Sequence, residues 1–342
     1  VCPVFEAVKQ AQQALVAEEI SKAYMPPSGD EAFNQGMQRL VLGNDSAALA
    51  DGRVSSVQTP GGCGALRIGA EVINAATPGA RVWVSDPTWP VHIPLLGSVG
   101  LRFETYRYYE PASHGVDFDG MVADLKAARP GDVVLLHGCC HNPCGADLSP
   151  QQWAVIADLA EQQGFTPFID IAYQGLGDGL DQDAAGLRLL VSRLPEVIIA
   201  ASCSKNMGLY RERTGAVIFV CRDRENAAAL VSQALVAARR VYSMPPAHGA
   251  LLAGRILSNE GLSHLWRGEL LAMCQRINGL RETLVQKLQA VSDRDFSFIQ
   301  REKGMFSFLG LSAEQARLLR EEHGVYMLDS SRINVAGVNA GN

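Results

Sequence analysis

No stretch of this chain approaches the roughly 18 consecutive apolar residues that a membrane-spanning helix needs; runs such as VIIAAS at 197–202 pass quickly into polar residues. Positive charge is also scarce. Thirty Lys and Arg against 36 Asp and Glu leave a formal charge of -6, so the basic field that nucleic acid or an anionic membrane surface calls for is missing, and neither is expected as a partner. The opening VCPVFEAVKQ shows no basic flank followed by an apolar stretch and a small-residue cleavage site, which leads us to expect a soluble protein of the cytoplasm. Disorder-promoting tracts and internal repeats are absent as well. What is present is core material: 47% hydrophobic residues over 342 positions, enough for a large domain and a smaller one. The eight cysteines (2, 63, 139, 140, 144, 203, 221 and 274) sit in a chain with too much core to need staples, so reduced thiols are expected. The first residue is not Met and the chain stops at NAGN, so we expect it to be part of something longer.

Between about 60 and 220, short aliphatic runs alternate with amphipathic stretches: RVWVSD, GDVVLLHG, FTPFIDIAY, EVIIAASCS and GAVIFVC. Such alternation predicts an α/β fold with a mostly parallel sheet covered by helices. SPQQWAVIADLAEQQG opens on a Ser-Pro pair and closes on Gly164, as a helix should. Trp266, Leu270, Met273, Ile277, Leu280, Leu284 and Leu288 recur at three- and four-residue steps and predict one long helix around 262–291. After it, FSFI, GMFSFLGL, SAEQARLLREEHG and YMLDSSRINVAG give a mixed pattern of strands and helices. The division expected is a large domain over 1–270 and a small α+β domain over 271–342, joined through that helix.

Ligands of such sheets bind beyond the carboxyl ends of the strands, so polar residues that end an apolar run are the first candidates. TPGGCGALR at 59–67 offers a glycine-rich turn into a helix, where backbone N–H groups favour a phosphate, although most such turns are only turns. Asp170 ends FTPFI; alone, it reads more readily as a turn cap than as the partner of a cationic ring nitrogen. Lys205 follows EVIIAASCS directly. An isolated lysine is usually a solvated surface residue, but this one stands at the mouth of a sheet with Ser202, Ser204 and Arg213, pairing an amine nucleophile with phosphate-binding groups. HGCCHNPCG at 137–145 places His137, Cys139, Cys140, His141 and Cys144 together as possible metal ligands, but no second ligand pair stands at finger or knuckle spacing, and no metal is expected. The Asn-Pro pair there fits a turn that aims Asn142 into the cleft.

Taken in order, SCSKNMGLYRERTGA, HGCCHNPCG, DIAYQG, PPAHGA, GMFSF and SRINVAG resemble landmarks of the fold-type I pyridoxal-phosphate enzymes, specifically the aspartate and aromatic amino-acid aminotransferases, over nearly the whole chain. The resemblance implies that Lys205 carries pyridoxal 5'-phosphate as a Schiff base and later moves the substrate proton. It implies that Asp170 pairs with the ring nitrogen, that Tyr173 and Asn142 bond the ring's phenolic oxygen, that Trp89 stacks on the ring and that His92 supports the aspartate. Gly62, Cys63, Ser202, Ser204 and Arg213 match the phosphate cup, with Tyr24 reaching in from the second subunit of a homodimer. Arg332 matches the clamp on the substrate α-carboxylate, for which a planar fork is suited. Arg239, three residues before Tyr242, matches the residue that takes the distal carboxylate across the interface.

The sequence also departs from that pattern. Gly61 and Cys63 stand where hydroxyl residues are usual in the phosphate turn, Cys144 where threonine is, and Met244 where strict aspartate enzymes have asparagine; the last tilts the expectation towards aromatic-tolerant specificity. The N-terminal arm and C-terminal helix of the pattern have no counterpart in these residues. The expected reaction is a ping-pong transfer of the amino group from aspartate, glutamate or an aromatic L-amino acid to a 2-oxo acid such as 2-oxoglutarate. A β-lyase or decarboxylase on the same fold is one alternative, opposed by the retention of both arginines. The other is a non-enzymatic metal- or partner-binding protein built on the Cys/His cluster.

Overall fold

The computed structural model describes residues 3–339, so Cys2 lies outside it. Seven strands make one sheet: β1 (Val54–Pro60), β2 (Arg81–Asp86), β3 (Arg102–Arg107), β4 (Val133–His137), β5 (Thr166–Ile171), β6 (Val197–Ser202) and β7 (Thr214–Val220). Their order is β1-β7-β6-β5-β4-β2-β3. Only β7 runs against its neighbours, and the other pairings are parallel. The five runs read from sequence are β2, β4, β5, β6 and β7. The sequence reading missed β1, which buries the polar Gln58 and Thr59, and the edge strand β3, in which Tyr106 alone is fully buried.

Side chains of a strand alternate between its faces, and here both faces are covered. Val134, Leu136, Ile169, Ile171, Ile199 and Ala201 join one apolar cluster; Val133, Leu135, Phe168, Ile198 and Ala200 join the other. Burial of each large aliphatic group is worth about 1.5–3 kcal/mol, so a slip of one residue, which would exchange the two faces, is strongly opposed. The Pro150–Gln163 helix begins with a capping box between Ser149 and Gln152, with Pro150 in the first turn, and ends on Gly164 at φ 74. No helix among the described residues is long and apolar enough to cross a membrane.

The long helix runs from Glu260 to Gln289, capped by the Asn259 side chain. Its buried face carries a residue that apolar periodicity does not reveal. Arg281 is 1% exposed and donates to the carbonyls of Ile299, Gly304 and Phe306 and to Ser307 Oγ, with the Glu302 carboxylate 3.5 Å away. Removing it would strand that carboxylate and three carbonyls, at a cost of roughly 3–5 kcal/mol. These bonds fasten the antiparallel pair β8 (Phe306–Phe308) and β9 (Arg332–Asn334) to the helix. FSFI is not a strand. Phe298–Arg301 is a single helical turn, because Phe296, Phe298 and Ile299 fold together onto Val285 as a third apolar cluster.

Candidate active site

The strand register pairs Pro60 with Thr214, Ser202 with Gly215 and His137 with Asp170. The carboxyl ends of β1, β4, β5 and β6 and the start of β7 therefore share one edge, and beyond it lies a cavity of about 190 Å³. Of the fourteen residues singled out from sequence, ten line it: Trp89, Asn142, Asp170, Tyr173 and Lys205 together with Gly62, Cys63, Ser202, Ser204 and Arg213.

One end is built around Asp170, whose Oδ2 is 3.0 Å from His92 Nε2. An ionised carboxylate only accepts, so His92 Nε2 donates to it, while His92 Nδ1 meets Thr88 Oγ1 at 2.7 Å. The Thr88 hydroxyl also meets His137 Nε2, at 3.4 Å. Burial would raise the Asp170 carboxyl, but the bond from His92 and the charges of the neighbouring imidazoles and Lys205 hold it below the ordinary carboxylate value. Trp89 lies edge-on to His92, ring centroids 5.3 Å apart. Tyr173 is buried, and burial followed by the Asp170 charge pushes its phenol up, so it stays protonated.

The other end is the start of the Gly61–Ala76 helix, where free N–H groups favour an anion. Gly61 has φ 70. A Cβ there would stand 2.7 Å from an Arg213 terminal nitrogen, so the glycine that costs the turn a hydroxyl also admits the guanidinium. Arg213 donates to the Tyr210 carbonyl at 2.9 Å and to Ser204 Oγ at 3.4 Å. Between the two ends stands Lys205, its Nζ 4.7 Å from the centroid of the Tyr173 ring. Burial lowers its pKa and Arg213 adds to this, against the opposing pull of Asp170 and Cys63.

Arg332 joins the site through Asn142, donating to its Oδ1 at 3.2 Å, and packs over the Phe306 ring. Tyr24, 90% exposed, and Arg239 stay on the surface outside the cavity. The sequence reading did not place Leu66, Ala172 or Tyr210 on the cavity wall or Thr88 beside His92, and it took His137 only as a possible metal ligand. His137 was accessible to the strand-end rule that found Asp170, since it ends the adjacent strand. The five residues of the Cys/His cluster do not share one centre. His141 bonds Cys144 Sγ and Ser85 Oγ, each at 3.1 Å, and stacks between His137 and Tyr108. Among the described residues, the group with metal-ligating atoms close together is Cys139, Cys140 and Asp183.

The sequence profile of the family described as aminotransferase class I and II matches residues 2–342. The chain belongs to this family. Its similarity to individual aminotransferases is extensive: it is 46% identical to the aromatic-amino-acid aminotransferase of Paracoccus denitrificans over 98% of this chain and 85% of that protein. It is also 46% identical to the aspartate aminotransferase of Escherichia coli (strain K12), over 99% of this chain and 86% of that one. The solved aromatic-amino-acid aminotransferase of Burkholderia pseudomallei, covalently bound to pyridoxal phosphate, superposes with a TM-score of 0.98 at 40% identity, covering 99% of this chain and 85% of that one. The fold is that of an aminotransferase, and the protein is an enzyme of amino-group transfer.

Proposed function

We propose that this aminotransferase uses pyridoxal phosphate to move the amino group of aspartate, glutamate, phenylalanine or tyrosine to a 2-oxo acid such as 2-oxoglutarate, as a homodimer with shared active sites. The observation that carries this reading is the setting of Lys205. It is an amine with lowered pKa, on the wall of a cleft that has an ionised carboxylate at one end and an anion-binding helix start at the other. The donor set suits the cofactor group by group: an amine for the aldehyde, Asp170 for the ring nitrogen, Tyr173 and Asn142 for the phenolic oxygen. Trp89 would take the ring face, and Gly62, Cys63, Ser202, Ser204 and Arg213 the phosphate, with Tyr24 of the partner subunit.

When bound, pyridoxal phosphate supplies an aldehyde that condenses with amines and a protonated ring that accepts the electrons left behind when a proton leaves the substrate Cα. The chain supplies the rest. Lys205 would take the Cα proton, and its lowered pKa keeps more of the amine in the basic form. Asp170 would hold the ring-nitrogen proton, and the His92 bond fixes the orientation of that carboxylate. Arg332 grips the α-carboxylate, aided by Asn142. Arg239 of the partner subunit would take a distal carboxylate; its neighbour Met244 offers only a thioether, 4.0 Å away. A thioether is a weak acceptor, which leaves the guanidinium free to swing aside for an aromatic side chain. The dimer is supported by the exposed apolar groups Ile20, Tyr24 and Tyr210. The division at 270/271 falls within the long helix, which would link the two domains.

The aminotransferase relatives favour neither the lyase or decarboxylase reading nor the non-enzymatic one. The test is a single-turnover series in which aspartate, glutamate, phenylalanine and tyrosine are each mixed with cofactor-loaded protein and the visible absorbance is followed. Conversion is expected, with Lys205→Ala slower by on the order of 10⁴-fold or more. If none of the four converts the cofactor, the reading fails; amino-acid loss without a 2-oxo acid would make the protein a lyase or decarboxylase.

A further inference from the structure

Cys139 and Cys140 take no part in the chemistry above, yet their geometry is specific. Neighbouring side chains of an extended segment point to opposite faces, whereas Cys140 has a left-handed backbone, φ 52. Bonds from the Cys140 and His141 N–H groups to the Asp147 carboxylate, 2.6 and 2.8 Å, hold that turn. Both thiols thereby reach the same place. Their sulfurs and a carboxylate oxygen of Asp183 lie within 4.8 Å of one another, all three residues buried. The surrounding charge is negative. The neighbouring Cys140 thiol pulls the Cys139 thiol down, but burial and the carboxylates of Asp183, Asp147 and Asp170 push it up to about 11. Cys139 and Asp183 also line a second cavity of about 580 Å³, bordered by the ion pair of Lys303 and Asp178, while Cys139 faces the cofactor cleft as well.

We propose that Cys139, Cys140 and Asp183 form a binding site for a thiophilic divalent cation of the zinc class, reached through this second cavity. Two thiolates and a carboxylate are a donor set that a tetrahedral ion accepts, with water in the fourth position. Thiolates about 2.3 Å from such an ion lie roughly 3.8 Å apart, within the 4.8 Å spread found here. The Asp183 carboxylate is already aimed by backbone N–H bonds, from Gly175 and Gly177 to Oδ2 and from Asp178 to Oδ1, which leaves Oδ1 a lone pair for the ion. Binding breaks two S–H bonds, forms two metal–sulfur bonds and releases two protons to solvent, with no change of oxidation state. The ion's two positive charges offset those of the two thiolates, where an empty pair of thiolates would meet three carboxylates.

The test uses chelator-treated, cofactor-loaded protein with Zn²⁺ alone as ligand, followed by equilibrium dialysis with elemental analysis, and Co²⁺ as the absorbing substitute. We expect one Zn²⁺ per chain at micromolar concentration, two protons released per ion in weakly buffered solution, and a sulfur-to-cobalt band in the near ultraviolet. Cys139→Ser and Cys140→Ser should each weaken binding at least tenfold and Asp183→Asn less, whereas Cys63→Ser and Cys221→Ser should leave it unchanged. Absence of a bound ion, or binding that survives Cys140→Ser, overturns the proposal. If the serine variants do not fold, the parent protein decides: fewer than two protons, or a cobalt spectrum without the sulfur band, also overturns it.

Discussion

The two ends of the proposed cofactor cleft are built differently. At the Asp170 end, polar side chains are bonded to one another inside the protein, from Asp170 through His92 and Thr88 to His137. His92 in that series is fully buried. At the end proposed for the phosphate, the donors are the first N–H groups of a helix, two buried serines and an exposed Arg213, whose place depends on an absent side chain at Gly61. One end is organised before any ligand arrives, because each donor already has its acceptor. The other presents donors to solvent and relies on an anion to use them. Electronic control and cofactor retention should therefore fail separately.

Of the two ends, the larger effect should come from Asp170→Asn, which keeps an acceptor for His92 but removes the charge. The single-turnover rate with aspartate should fall by roughly 10²–10³-fold, about 3–4 kcal/mol, as expected for taking one partner from a buried charged pair. A rate within tenfold of the parent would mean that the organised end does not control the chemistry. The substitution also has a stability signature. The Asp170 carboxyl is held below its ordinary value, so its contribution to folding is present above about pH 4 and lost as pH falls through the lowered value. Denaturant titrations of the cofactor-free protein should show a weaker acid dependence in Asp170→Asn.

At the opposite end, Arg213→Lys replaces a planar fork by a single ammonium. Cofactor affinity should drop about 10–100-fold, the 1.5–3 kcal/mol of a charge-assisted hydrogen bond, as read by equilibrium dialysis of pyridoxal phosphate. A loss that fell instead on the rate of cofactor-saturated enzyme would erase the separation between the two ends.

The same contrast explains what the sequence disclosed. Strands such as β4 and β6, with four or more consecutive aliphatic residues, were legible because burial on both faces removes the need for polar alternation, and the polar Asp170, next to the last residue of β5, and Ser202, the last of β6, stood out against such runs. Lys205 was legible from its position just after β6. Thr88 was not, because it is ordinary in its own segment and acquires its role only through folding: its contact with His137 spans 49 positions. Arg281 was hidden by the rule that found its helix, since periodicity tracks apolar residues and this one is buried on a network of carbonyls. Gly61 was read as a lost hydroxyl; its positive φ and the nearby guanidinium show that the loss accompanies a closer arginine.

The smallest effect bears on whether that exchange is complete. Cys63 stands in the first turn of the Gly61–Ala76 helix and lines the cleft, where its S–H would be a weak donor to a phosphate oxygen. Cys63→Ser puts a stronger donor at nearly the same point without adding a Cβ that Arg213 would have to avoid. A net hydrogen bond is worth about 0.5–1.5 kcal/mol, and part of it is already made by the thiol, so cofactor affinity should rise by no more than about fivefold. An increase of that size, seen in the same dialysis assay, would mean that the phosphate end is held below its attainable strength by one atom. No increase would mean that Arg213, brought close by Gly61, already meets the oxygen that a hydroxyl at 63 would otherwise serve.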